Sequence, residues 1–215
     1  LYLLGMSSYE ARNYDAAYSY FKKYYESYPR GVYAEEARFY SGMSLYNNVP
    51  EIKLDQTATY EAVTEFNSFL EYYPAGRFAG QAQTLIFELQ DRLVEKEYLS
   101  AKLYYDLGSY FGNCSSGGSN YQACIITAEN AIIDYPYSSK REDFARLILK
   151  AKFELAEQSV EEKKEERYHE AIDEYYSFTT EYPESDFIKE ARSLFKKAEK
   201  YVKKSDETDK KDAVE

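Results

Sequence analysis

Tryptophan is absent from the 215 residues, and proline (5), glycine (9), cysteine (2) and methionine (2) are scarce. Strand signals are absent as well, which leaves helix as the regular structure. Two cysteines are too few for a disulfide framework, and Cys114 and Cys124 lack metal-ligand spacing. They read as one loop thiol and one helix-packed thiol, with a Cys114–Cys124 bridge as the alternative in an oxidising compartment. Basic residues are the minority, 27 against 38 acidic ones, giving a net charge of −11. That balance, with a pI near 4.8, opposes a phosphate-tracking surface built from clustered Lys and Arg, so nucleic acid is not an expected partner. No window approaches the ~20 consecutive apolar residues of a membrane span.

The motifs of catalysis are missing too. There is no glycine-rich phosphate loop, no CxxC and no HExxH. His169 is the sole histidine, and it lies in a helical pattern beside Arg167, Tyr168 and Glu170 with no Ser or Cys nucleophile near it in sequence. The run Glu161–Arg167 reads as a solvated helix face or loop laced with local ion pairs. The chain is therefore expected to be no enzyme and to use no cofactor or metal. Its first residues, Leu1 to Met6, lack a basic n-region and a cleavage site. They read as a helix entered partway, with any export signal or lipid anchor upstream.

What the sequence does have is aromatic residues: 26 Tyr and 12 Phe. Tyrosine buries its ring while its hydroxyl finds a partner or water, which suits a thin structure in which most residues lie near a surface. A thicker globular core would need more Ile, Leu and Val.

Those rings recur in register. Tyr-Pro stands at Tyr28-Pro29, Tyr73-Pro74, Tyr135-Pro136 and Tyr182-Pro183. Counted from each proline, position −15 holds Tyr14, Thr59, Tyr121 and Tyr168, and position −12 holds Ala17, Ala62, Cys124 and Ala171. Position −8 holds Phe21, Phe66, Ala128 and Tyr175, and position +8 holds Ala37, Ala82, Phe144 and Ala191. Small at −12 and mostly large at −8 share one helix face, so a neighbouring helix can approach and the ring fills the gap. Proline ends each helix because it lacks the N–H and disfavours α geometry in the residue before it. Ser139 with Glu142 predicts a capping box after the third Tyr-Pro.

A second pattern, Gly-Met-Ser-x-Tyr, appears at Gly5–Tyr9 and Gly42–Tyr46, with Gly108-Ser109-Tyr110 as a partial third copy. A mid-helix Gly costs ~1 kcal/mol relative to Ala, so its repetition in register points to close helix contact.

The predicted helices are 1–12, 14–28, 33–47, 58–73, 77–110, 119–135, 139–160, 166–182 and 185–203, with 77–110 either one helix or two. The expected fold is all-α, a tetratricopeptide-like helical-hairpin solenoid of about four repeats over 1–204, followed by a disordered charged tail over 205–215. Asn47–Gln56 and Gly112–Asn120 read as insertions in the loops. The inner groove of such an array would be lined by Tyr2, Met6, Tyr9, Phe39, Met43 and Tyr46, whose rings and thioethers suit extended or helical peptides. The alternative is that these residues only pack one repeat on the next.

The stretch Arg92–Gly108 (RLVEKEYLSAKLYYDLG), followed by a helix ending in Tyr135-Pro136, resembles the BamD family of β-barrel assembly lipoproteins. Tyr28–Ala37 and Tyr182–Ala191 fit the same family, and the resemblance covers nearly all of 1–203. It implies a lipid-anchored scaffold on the periplasmic face of the outer membrane, whose anchor and first repeat lie upstream of this sequence. Membrane contact would come through that anchor alone. The implied partners are a BamA-like protein with POTRA domains, unfolded outer-membrane β-barrel proteins and accessory lipoproteins. The N-terminal groove named above would receive the client, and Tyr105, Asp106, Thr127 and Arg141 would face BamA. Two features depart from the family: the Gly/Ser-rich insertion at 112–120 and Thr127, where some members carry Arg. A different periplasmic tetratricopeptide adaptor, acting in envelope division or peptidoglycan synthesis, is the alternative.

Overall fold

The computed structural model describes residues 1–110 and 119–212. Among them the regular structure is helical throughout: α1 (Tyr2–Glu10), α2 (Tyr14–Ser27), α3 (Ala34–Asn47), α4 (Thr57–Tyr72), α5 (Ala79–Leu107), α6 (Asn120–Asp134), α7 (Arg141–Glu157), α8 (Glu161–Glu181) and α9 (Ile188–Asp212). The fold is all-α and tetratricopeptide-like, as the columns predict. The 77–110 stretch is one helix.

The Tyr-Pro register dictates four near-identical corners. Tyr28, Tyr73, Tyr135 and Tyr182 are each the C-cap, with φ between −125° and −133° and ψ between 61° and 65°, and each donates its N–H to the carbonyl four residues back. The chain then closes a turn, with Gly31, Gly76, Ser138 and Ser185 donating to those same tyrosine carbonyls. Pro follows the cap because it cannot continue the helix, and the turn feeds the next one.

Contacts organise the chain into two compact units, Leu1–Lys96 and Glu97–Glu215. In the first, one cluster joins Ala17, Phe21, Tyr25 and Ala37, with Tyr2, Met6 and Tyr9 packed against it. A second joins Phe39, Ala62, Phe66, Phe69, Ala82, Leu85, Ile86 and Leu89. In the other unit, Ala145, Leu149, Phe178, Phe187 and Ala191 form one cluster, and Phe153, Ala156, Tyr168, Ala171, Ala198 and Val202 another. The −12 column is buried in all four repeats, and so is the +8 column.

The repeated glycines behave as their register requires. A Cβ on Gly5 would lie 2.7 Å from the Phe21 ring, and one on Gly42 2.7 Å from the Phe66 ring. Each glycine thus receives the −8 ring of its own hairpin. Gly108 is different. It terminates α5 at φ +48° and lies against Tyr121, so it is a helix-ending glycine and not a third copy of the packing motif.

Arg12 performs the same task without the right side chain. Its N–H donates to the Tyr9 carbonyl and the Asn13 N–H to the Ser8 carbonyl, closing α1 with Arg12 at φ +58°. Asn13 then caps α2, its Oδ1 accepting from the Ala16 N–H at 3.3 Å. A Cβ in the left-handed region costs ~1 kcal/mol, so Arg12→Gly is expected to raise stability by about 1 kcal/mol, read from denaturant unfolding. A decrease would mean that the Arg12 side chain contributes more than the strain removes.

Other expectations are corrected. No capping box forms at Ser139: α7 has no side-chain cap, and the serine that turns the chain is Ser138, whose Oγ accepts from the Lys140 N–H. Glu142 instead accepts from Ser185 Oγ at 2.6 Å and pairs with Arg146, because the start of α7 abuts the next Tyr-Pro corner. Glu35, at the same register position, accepts from the Arg77 N–H at 2.6 Å. The segment after Asn48 is a pinned loop. The buried Gln56 amide donates to the carbonyls of Glu51, Ile52 and Leu54, while Lys96 donates to that of Lys53 at 2.7 Å. Of the charged tail over 205–215, the part to Asp212 belongs to α9, and 213–215 fall outside the described residues. The run Glu161–Arg167 is the start of α8, with Glu161 accepting from Tyr201 Oη and Glu165 from Ser205 Oγ. Of the Gly/Ser-rich insertion, 112–118 falls outside the described residues.

Candidate functional site

The N-terminal candidates are set by α1 and α3: those of α1 pack on the Phe21 cluster and those of α3 belong to the Phe66 cluster. Tyr2 stacks on Tyr33 with ring centroids 4.3 Å apart and meets Phe21 at 6.1 Å. Its hydroxyl is held protonated by burial and by Glu36, which raise its pKa. Tyr9 meets Tyr40 edge-on at 5.2 Å, and its hydroxyl accepts from Asn47 Nδ2 at 2.9 Å. Met6 packs on the same cluster. In the next hairpin Met43 and Tyr46 are half-buried against the Phe66 cluster, and the Tyr46 hydroxyl donates to Glu88 at 2.8 Å. That carboxylate, more than burial, raises the tyrosine's pKa.

Phe39 does not belong with them. It is 2 % exposed, stacks on Phe78 at 4.4 Å and touches Phe69 edge-on. Its ring is interior and cannot line an open groove. Periodicity missed this because Phe39 and Met43 are four residues apart and share a helix face, while only the next hairpin decides how deep each one sits. The remaining five residues are half-buried, each with part of its surface in solvent.

A polar network runs beside them. Tyr25 Oη and Ser41 Oγ both donate to Glu65 Oε1 at 2.8 Å. Arg38 lies over the rings of Tyr25 and Tyr72, at 4.2 and 3.7 Å from their centroids. Glu65 thereby links the ends of two hairpins through buried hydroxyls, a satisfied arrangement and not a free acid.

The second unit holds the other candidates. Tyr105 on α5 meets Tyr121 of α6 edge-on at 5.7 Å, and burial, with Glu154 next, pushes its hydroxyl up to about 12. Asp106 is exposed and paired with Lys102 at 2.6 Å. Thr127 is half-buried on α6. Arg141 already commits its guanidinium: it donates to the carbonyls of Ile132 and Pro136, and to Glu181 at 3.0 Å. It closes the α6 corner and ties α7 to the end of α8. Cys124 is buried with a free thiol, whose pKa burial pushes up to about 12. Cys114 lies outside the described residues. His169 is exposed on α8. Among the described residues no group of His, Cys, Asp and Glu could hold a metal ion.

What sequence reasoning missed is the outer face of α6. Ile126 is 51 % and Ile133 73 % exposed, and Tyr137 at the corner beyond is 99 % exposed. The signal was available: Tyr121, Cys124, Ile125, Ala128 and Ala131 form the buried stripe, and Ile126 and Ile133, seven apart, fall together off it.

Residues 2–115 match the family model YfiO, described as outer membrane lipoprotein. The match takes in α1 to α5 and the whole of Arg92–Gly108, a shorter span than the 1–203 covered by the resemblance; Thr127 and Arg141 lie beyond it. No curated protein matches the chain. Among the described residues no helix is long and apolar enough to cross a membrane. With more than half of its length matched, the chain belongs to the YfiO family of outer membrane lipoproteins.

Proposed function

We propose that this chain is a non-catalytic scaffold of the outer-membrane β-barrel assembly machinery, of the BamD type, working at the periplasmic face of the membrane. The observation that carries this reading is the family match across α1–α5, which includes the Arg92–Gly108 motif. The helical-hairpin fold supports it, because stacked hairpins present extended surfaces suited to holding other chains.

In this reading the exposed parts of Tyr2, Met6, Tyr9, Met43 and Tyr46 receive unfolded barrel clients. A BamA-like protein docks through its POTRA domains on the second unit, near Tyr105, Asp106, Thr127 and Arg141. Arg141 and Tyr105 act there mainly by shaping the surface, given the partners they already hold. Ile126 and Ile133 supply the apolar area that a stable interface needs at its centre.

Affinity capture of the tagged protein from detergent-solubilised outer membranes is expected to recover a barrel protein with POTRA domains. Ile126→Asp with Ile133→Asp is expected to reduce that recovery at least tenfold, since truncated interface anchors cost ~2 kcal/mol or more. Recovery of cell-wall synthesis factors alone would overturn the reading in favour of a different envelope adaptor.

A further inference from the structure

The last helix carries the opposite charge from the rest of the chain. Residues 188–204 hold seven cations (Lys189, Arg192, Lys196, Lys197, Lys200, Lys203 and Lys204) against two carboxylates, a local charge of +5 in a protein of net −11. All nine of these charged residues are exposed or half-exposed. Helical geometry sorts them: at 100° per residue Lys189, Arg192, Lys196, Lys200 and Lys203 fall within an arc of ~80° and along ~21 Å of helix. The opposite face is buried through Ala191, Ala198 and Val202, with Leu194 and Tyr201 packed beside them. α9 therefore turns one cationic stripe outward.

The carboxylates do not neutralise it. Glu190 is held by Lys150 of α7 at 2.7 Å, and Glu199 is paired with Lys203 at 2.8 Å. Lys197 leans over the Phe153 ring at 5.8 Å. Lys189, Arg192, Lys196 and Lys200 form no ion pair among the described residues. Four unpaired like charges on one face repel one another, and a counter-surface of negative charge would relieve that repulsion.

We propose that the exposed stripe of α9 binds the phosphate headgroups of an anionic bilayer leaflet. The charge complementarity is local and strong, and the family is one of outer membrane lipoproteins, so an anionic surface lies within reach. Cations on an amphipathic helix attract such a surface over about a Debye length, ~10 Å at 0.1 M salt. This proposal does not depend on BamA or client binding, and its test involves neither.

The test is cosedimentation of the full chain with vesicles of phosphatidylethanolamine and phosphatidylglycerol, against vesicles of phosphatidylcholine alone, at low and high salt. Binding is expected only to the anionic vesicles and only at low salt. Lys189→Gln, Arg192→Gln, Lys196→Gln and Lys200→Gln together are expected to weaken it at least ~100-fold. Replacing the three lysines by arginine is expected to preserve it. A control of equal charge loss, Lys22→Gln, Lys23→Gln, Arg30→Gln and Lys53→Gln, is expected to lose less than ~tenfold. Circular dichroism of each variant confirms folding. Failure of the native chain to bind anionic vesicles would overturn the proposal, as would equal losses in both quadruple variants. So would poly-glutamate displacing the vesicles at equal charge concentration, which would mark an acidic protein as the partner.

Discussion

Phe66→Ala is expected to destabilise the first unit by about 3–5 kcal/mol, the usual cost of deleting a fully buried ring. Phe66 is 0 % exposed and packs against Phe39, at a centroid distance of 6.0 Å, and the bare backbone of Gly42. The size of the effect follows from what surrounds the hole. Gly42 has no side chain to move into it, and Phe39 is already held by stacking on Phe78. Collapse is therefore limited and the cavity term stays large. Denaturant unfolding followed by circular dichroism measures this; a loss under about 1 kcal/mol would show that α3 and α4 close the gap by sliding together.

Gly42→Ala is the converse experiment and is expected to lower stability by about 1–2 kcal/mol. Two effects compete. Alanine is favoured over glycine in a helix interior by ~1 kcal/mol, whereas the added Cβ would stand 2.7 Å from Phe66 Cε1. A fully buried ring already in contact with Phe39 has little room to retreat, so the overpacking cost of ~1–3 kcal/mol falls in the upper part of its range. The clash therefore wins. Shortening the ring should release it: Gly42→Ala with Phe66→Leu is expected to be more stable than the sum of the single losses by ~1–2 kcal/mol. A neutral or stabilising Gly42→Ala would show that the helices do not approach as closely as the glycine register requires.

Both experiments concern a pair that is visible in sequence. Gly5 and Gly42 repeat in register and so do Phe21 and Phe66, and the structure pairs them glycine to ring. The corners were equally legible, because proline acts through its own covalent geometry and the residue before it, without help from the rest of the chain. Buried columns were legible because small and large residues four apart mark a packing face whatever the partner. Gly108 was misread by the same logic, as a lone Gly-Ser-Tyr cannot say whether its glycine lies inside a helix or ends it. Only its φ of +48° settles that.

The candidate site was legible as a neighbourhood, not as a surface. Periodicity placed Phe39, Met43 and Tyr46 on one helix, but the aromatic layer of Phe69 and Phe78 took Phe39 inside. Arg141 looked available because a sequence cannot show that the carbonyls of Ile132 and Pro136 and the carboxylate of Glu181 surround it. The exposed isoleucines of α6 were overlooked for the complementary reason: an apolar residue off the buried stripe is read as core until the stripe is drawn.

By itself, then, the sequence determined the helices, their corners, the close helix contact at the repeated glycines and the kinship that the family match supports, all of which rest on local stereochemistry and short-range spacing. The tertiary structure alone decided how deep each residue of a packing face sits, because burial depends on the neighbouring hairpin that covers it. It showed the charged tail continuing as helix to Asp212, and it showed that the cations of α9 lie along one exposed stripe, since only the docking of its apolar face on α7 and α8 turns the opposite face outward.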